Sequence, residues 1–198
     1  MTDSADRPRS DATRARLLDA ATAAFAERGF HGTTTRDIAE AAGMSPAALY
    51  VHHKSKEELL YLISRSGHEN TLRIITEAIE SAGDPAAALR AVVRDFAAHH
   101  AQGHTGARIV NYELAALTPA HHAEIRDIRH RIQHAVRELV ERGAEAGVFD
   151  VPDPSIAAVA VLSLGIDIAR WYRDEGRWSP EDVAEHYAAI ALRIVRAH

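Results

Sequence analysis

The chain of 198 residues contains no cysteine, and aromatic residues make up only 6% of it. Lysine occurs twice, as Lys54 and Lys56. The lack of cysteine removes disulfides, thiolate-bound zinc, iron–sulfur clusters and thiol catalysis in one step. No stretch alternates apolar and polar residues as a half-buried strand does, so a sheet is not expected. Charges nowhere stay absent for the ~18 residues that a membrane span needs, and the opening MTDSADRPRSDATR has no apolar segment of the signal-peptide kind. Nor is there a GxSxG elbow, an HExxH helix or a glycine-rich phosphate loop following a strand. These absences argue against an enzyme and for a soluble cytoplasmic protein without a cofactor or a membrane partner.

What is present favours helix. Alanine occurs 39 times and arginine 21 times, and both are strong helix formers. Apolar residues at 46% and charged residues at 26% are ordinary for a globular chain long enough to bury a core of its own. The net charge is -5, but it is unevenly spread. Residues 1–56 carry eight Lys or Arg against seven Asp or Glu, whereas residues 57–198 carry fifteen against twenty-one. A polyanion would therefore meet less repulsion at the N-terminal part than anywhere else.

Cap residues, proline and glycine divide the chain into about nine helices, an all-α architecture. Residues 1–10 lack apolar periodicity and are expected to be a flexible arm. The first helix is expected from Asp11 to Arg28, with Leu18, Ala21 and Phe25 on its inner face and Gly29 as its stop. Thr34 with Asp37 caps a short second helix that ends at Gly43, and Ser45-Pro46 opens a third that ends near His53. Ser55 with Glu58 starts a long fourth helix, to about Ala82. The fifth runs from Pro85 to near Gly103 and the sixth from about Thr105 to Leu117. The seventh runs from Pro119 to Gly147, and the last two cover about 154–175 and 180–197.

Two short helices joined by the glycine-containing turn Ala42-Gly43-Met44, at the end of a three-helix unit, form a helix-turn-helix pattern. The first turn of the second of these helices offers only small groups, Ser45, Pro46, Ala47 and Ala48. Its backbone can therefore come close to base edges in a major groove about 12 Å wide. Thr34, Thr35, Arg36, Tyr50, His52, Lys54 and Lys56 supply the hydroxyls and cations that phosphate contacts need. Lys56 stands at the start of a helix, where its charge opposes the helix dipole; with no local reason for it in the sequence, a phosphate is the expected partner.

The segment ARLLDAATAAFAERGFHGTTTRDIAEAAGMSPAALYVHHKSKEELL, with its GxxTTxxxIAxxAG and LYxHxxxKxxLL stretches, resembles the N-terminal domain of the TetR family of transcriptional regulators. The resemblance implies phosphate contacts at Thr34, Tyr50 and Lys56, and a groove-facing or wall position for Ser45, Pro46, Ala47, Val51 and His52. It implies a helix-turn-helix domain over residues 11–56 and a helical ligand-binding and dimerisation domain over residues 57–198. The departure from the family pattern is His53, where members usually have phenylalanine or another apolar core residue.

In the helical body an apolar stripe with polar anchors defines the expected effector pocket: Phe96, Arg108, Ile109, Tyr112, Ile128, Arg129 and Trp171. The last two helices are apolar on more than one side, which predicts a homodimer interface at Ala158, Gly165 and Ile194. The stretch from Thr118 to Phe149, followed by ARWYR and Trp178-Ser179-Pro180, more loosely resembles TetR-type repressors of fatty-acid and steroid catabolism that sense CoA thioesters. That resemblance implies an acyl-CoA effector, with Arg108, Arg126, Arg129, Arg170 and Arg173 near its phosphates. The expected partners are thus a near-palindromic double-stranded operator, a small-molecule effector and a second copy of the chain. Two alternatives stay open. One is a regulator of the same class that senses a compact aromatic or cationic compound. The other is a metal-dependent binding module or enzyme built on the thirteen histidines, with His100/His104 and His130/His134 each spaced to share a helix face.

Overall fold

A computed structural model of the chain describes residues 6–197, with side chains from Ser10 onward. Among the described residues there are nine α-helices and no strand: α1 Asp6–Gly32, α2 Thr35–Ala41, α3 Pro46–His52, α4 Lys56–Ser81, α5 Pro85–Gln102, α6 His104–Tyr112, α7 Pro119–Glu145, α8 Pro154–Trp171 and α9 Pro180–Ile194. A single 3₁₀ turn, Leu114–Ala116, follows α6, so the sixth helix is shorter than its sequence pattern predicts.

Local chemistry sets most of these limits. Ser45, Asp84, Asp153 and Ser179 each cap a helix whose first residue is proline, a residue that has no N–H to leave unpaired. Gly147 stands at φ +70°, and the Val148 N–H reaches back to the Gly143 carbonyl at 2.9 Å to close α7. At the other end of the chain, residues 6–10 extend α1 rather than forming an arm. Pro8 falls within the first turn, where a missing donor costs nothing. Gly29, at φ 72° and ψ 166°, leaves helical geometry, so the stop expected there is present as a break within α1. The inner face of α1 is Leu17, Ala21, Ala24 and Phe25, one residue out of phase with the expected Leu18, which is half-buried.

The chain divides into two compact units. The first contains residues up to Ser66 together with Arg108–Ala123; the second contains Gly67–Ala107 and Glu124 onward. The expected boundary at residue 56 is therefore corrected, and the polar clasps inside the first unit explain why. Glu57 Oε1 accepts hydrogen bonds from the Thr118 N–H and from His121 Nδ1, both at 2.8 Å. The His121 ring stacks on Tyr61 with centroids 3.8 Å apart, and Glu113 Oε1 accepts from the Phe30 N–H at 3.4 Å.

The core of the second unit forms where α5 packs against α8 and α9. Ala97 and Ala101 of α5 meet Ile168, Tyr172, Val183 and Ala184 there. The Arg90–Glu185 ion pair joins α5 to α9 but is half exposed, so it contributes at most about 1 kcal/mol and the apolar contact decides the packing. By length and composition α8, with mean hydropathy 1.3 over 18 residues, would suffice to cross a membrane. Packing accounts for part of its composition, since Ala157, Ala158, Val161, Leu162, Gly165, Ile168 and Ala169 are buried.

Candidate nucleic-acid interface

The turn between α2 and α3 is fixed from both sides. Thr34 Oγ1 accepts from the Asp37 N–H at 3.2 Å, and the Asp37 carboxylate accepts from the Thr34 N–H at 2.8 Å. The Thr34 N–H and the Thr34 hydroxyl, which also donates to that carboxylate at 2.8 Å, hold the Asp37 carboxyl below its ordinary pKa. After α2, Gly43 takes φ +68°. The Met44 N–H then bonds to Ala39 at 2.8 Å and the Gly43 N–H to Glu40 at 2.9 Å, the paired closure that a left-handed glycine permits. Inside, Ile38, Ala39 and Leu49 are fully buried, and outside the Tyr50 hydroxyl lies 3.1 Å from Thr35 Oγ1, tying α3 to the start of α2.

The result is a short helix held at both ends with one face left outward. Ser45, Pro46, Ala47, Tyr50 and Val51 are all exposed, and Val51, at 81%, is the most exposed of the large apolar residues. Thr34, Arg36 and Lys54 are exposed around it, and Thr35 and His52 are half-buried. These sequence-predicted residues therefore gather around one short helix.

Lys56 needs correction. Its ammonium donates to the Phe30 and Thr33 carbonyls, each at 2.8 Å, and lies 4.4 Å from the centre of the Phe30 ring. The end of α1 thus supplies the local partner that the sequence did not disclose. Thr33, fully buried, adds hydrogen bonds from its hydroxyl to the Ala24 and Gly29 carbonyls. Lys56 is a clamp on α1, and Lys54 is left as the exposed lysine beside α3.

The expected effector residues are divided between the two units. Arg108, Ile109 and Tyr112 belong to the first unit, where Ile109 is buried and Tyr112 is 45% exposed. Phe96, Ile128, Arg129 and Trp171 belong to the second. Trp171, 37% exposed, stands in an aromatic group with Trp178 and Tyr187. The neighbouring arginines are occupied locally. Arg170 pairs with Asp167 at 3.4 Å, and Arg173 Nη1 donates to the Arg170 and Tyr172 carbonyls.

The second unit does bring together a polar cluster that the sequence reading missed. Arg129 Nη1 lies 3.3 Å from His68 Nε2, and burial pulls the Arg129 guanidinium below its ordinary pKa. His68 and His100 are both buried. His100 Nδ1 donates to the Phe96 carbonyl at 3.0 Å, its ring meets Phe96 at 4.2 Å, and burial pushes its pKa down to about 4. His100 is therefore neutral at pH 7, with Nε2 as its acceptor. An open groove of 470 Å³ between α4 and α5 includes His99, Glu77 and Asp95, but none of the expected effector residues lines it. Among the described residues no three His, Asp or Glu side chains are grouped to hold a metal.

Residues 17–61 match the model of the TetR family of bacterial regulatory proteins, and residues 82–195 match that of a tetracycline-repressor-like C-terminal domain. The chain belongs to the TetR family. It is similar to the transcriptional repressor KstR2 of Mycobacterium tuberculosis, 30% identical over 184 residues that make up 90% of each chain. A solved structure of that protein, a ketosteroid transcriptional regulator, covers 91% of this chain and 93% of its own with 27% identity and a TM-score of 0.83. A TetR-family regulatory protein from Rhodococcus RHA1 is 40% identical, with a TM-score of 0.89 over 94% of this chain and 98% of that one. As in other TetR regulators, α2 and α3 are the DNA-binding helix-turn-helix.

The expected dimer residues need a second correction. Ala158 is fully buried, and a Cβ on Gly165 would stand 2.3 Å from Phe96 Cε1. Both positions serve the chain's own core, so neither is open to a second copy; Ile194 is half-buried. The apolar residues that α8 and α9 leave outside are Ile156, Val159, Leu164 and Ile190, which are 37–66% exposed.

Proposed function

We propose that this TetR-family protein is a homodimeric repressor that leaves its operator when a CoA thioester binds the regulatory body. The single observation that carries the DNA half is the outward face of α3, where Val51 and Tyr50 stay exposed beside small residues although burial would stabilise each by about 2 kcal/mol. Such a face is open to a partner, and small groups on a capped helix suit the floor of a major groove. Two copies of α3 on a two-fold axis read a near-palindrome with half-sites about one helical turn apart. Ile156, Val159, Leu164 and Ile190 supply apolar area for that dimer, outside the core of the single chain.

For the effector, support comes from chemistry in the second unit. Arg129, His68 and His100 give a cationic donor and a neutral acceptor close to the apolar Phe96. A ligand with an acyl body and a carbonyl or phosphate head suits that mixture, and the similarity to a ketosteroid regulator favours a steroid-derived or long acyl group. Release requires little: a ~100-fold loss of operator affinity corresponds to about 2.7 kcal/mol of coupling.

The test begins with a duplex selected from a random pool by the full-length protein. A panel of acyl-CoA thioesters, free CoA and free acids is then added to the complex. Thioesters should release the duplex, and free CoA and free acids should be much weaker. Release by a compact aromatic or cationic compound, with the thioesters inert, would overturn the effector half; failure to select any duplex would overturn the DNA half.

A further inference from the structure

His53 forms the C-cap of α3, the helix whose outer face meets DNA. Its backbone is well placed, with the N–H bonded to the Leu49 carbonyl at 2.9 Å. The side chain is not: it is 4% exposed, and both Nδ1 and Nε2 are buried without a hydrogen-bond partner. A neutral imidazole carries one N–H and one lone pair, and here neither is satisfied. An apolar ring would fill the same space without leaving a donor and an acceptor idle. What an imidazole has and an apolar ring lacks is the capacity to take up a proton near neutrality.

We propose that His53 makes the DNA-binding unit sensitive to protons, because a second N–H and a positive charge at the buried end of α3 loosen that helix from its unit and release DNA. The groups facing the ring are few. Glu58 on α4 attracts the imidazolium, while His52 on α3 and Arg14 on α1 repel it. The Glu58 carboxylate already accepts from the Lys54 N–H at 2.5 Å, and Arg14 is paired with Asp11 at 3.6 Å. Burial is the largest influence and holds the His53 pKa below its ordinary value, with Glu58 opposing and His52 and Arg14 assisting.

The folded unit binds this proton less readily than the unfolded chain does. Its stability is thus complete above the ordinary histidine pKa of about 6.5 and is lost as pH falls below it. The loss is up to about tenfold in the folded-to-unfolded ratio per pH unit, and it stops once the folded-state pKa is passed. DNA affinity falls with it once the loosened form becomes a sizeable fraction of the protein, because apparent affinity scales with the fraction that presents α3.

The experiment compares the full-length protein with His53→Phe, which keeps an aromatic ring and removes both nitrogens. Urea unfolding from pH 7.5 to pH 5 should show the wild type losing ground to the variant below pH 6.5, by up to about tenfold per unit. Binding to a duplex selected by the wild type at pH 7.5 should weaken on acidification more in the wild type than in the variant. Ring NMR of the wild type alone should find His53 still neutral below the ordinary histidine pKa of about 6.5, a reading that holds even if the variant does not fold. Parallel pH curves for the two proteins, or a His53 ring that titrates at or above the ordinary histidine value, would overturn the proposal. If no duplex is selected at all, the DNA-binding reading fails, while unfolding and NMR still decide the behaviour of His53.

Discussion

In the unit that carries α2 and α3, the fixed points are polar and close to the surface. Thr34 and Asp37 cap each other, Lys56 holds two carbonyls of α1, and Glu57 gathers Thr118 and His121. In the second unit the fixed points are missing side chains. Gly143 makes room for Phe149, whose ring would lie 2.0 Å from any added Cβ, and Gly165 does the same for Phe96. A unit that docks on a polyanion adds to its buried apolar core a set of hydrogen bonds that fix one short helix. A unit built as a tight bundle gains most from close approach of helices, which alanine and glycine allow.

The largest effect should come from filling one of those seats. Gly143→Ala puts a methyl group where the Phe149 ring lies, so either the ring leaves its buried site or α7 shifts. We expect a loss of about 3 kcal/mol or more in urea unfolding, as for other forced core rearrangements. A loss below ~1 kcal/mol would show that the second unit is not closely packed, and the contrast with the first would fail.

Acid should act on the second unit almost as strongly. The His100 pKa is pushed from 6.5 to about 4, so the folded state resists the proton that the unfolded chain accepts. Stability is complete above pH 6.5 and declines toward pH 4, by about 3 kcal/mol in all. His100→Leu should remove that component, and chemical unfolding at pH 7 and pH 4.5 measures it. Equal pH dependence in wild type and variant would show that His100 is not set in a dry interior.

Lys56 and Lys54 offer a sharper comparison, because they are two residues apart and perform different work. Lys56→Met abandons two carbonyls at the end of α1 and should cost about 2 kcal/mol of stability. Lys54→Met should leave stability nearly unchanged but lower the salt dependence of DNA binding by roughly one unit of slope. The reverse pattern would return Lys56 to the phosphate-contact set. The smallest effect belongs to Tyr50→Phe, which removes the hydroxyl contact with Thr35 and should destabilise the protein by less than ~1 kcal/mol. Duplex affinity should fall to a similar extent for all sequences, as expected of a residue that positions the backbone, and a sequence-selective loss in anisotropy titrations would argue against that placement.

What was legible in the sequence is what is local in the chain. Thr34 with Asp37, Ser45 with Pro46, and Gly43 are signals confined to four or five residues, and the structure places all of them as read. Lys56 was misread because its partners are backbone carbonyls 23 and 26 residues away, which no side chain announces. Gly165 and Ala158 announced a close approach but not its source, and that source is Phe96 in the case of Gly165. His68 and His100 look like any other helical histidines until α7 brings Arg129 beside the first and burial neutralises the second. The attachment of residues 108–123 to the first unit was likewise invisible, since it depends on Glu57, Tyr61 and Phe30 meeting partners 60 or more residues on.

That attachment has a consequence at the ribosome. The first unit needs residues up to Ala123, yet its helix-turn-helix is complete by His52 and its N-terminal portion ends at Ser66. At ordinary translation rates the nascent chain waits on the order of 5 s between those points. During that interval Glu57 has neither Thr118 nor His121 to hold, and Tyr61 has no ring to stack on. The part of the protein that is translated first thus waits for a segment made much later, and a fragment cut after α4 begins is a different object from the unit that reads DNA.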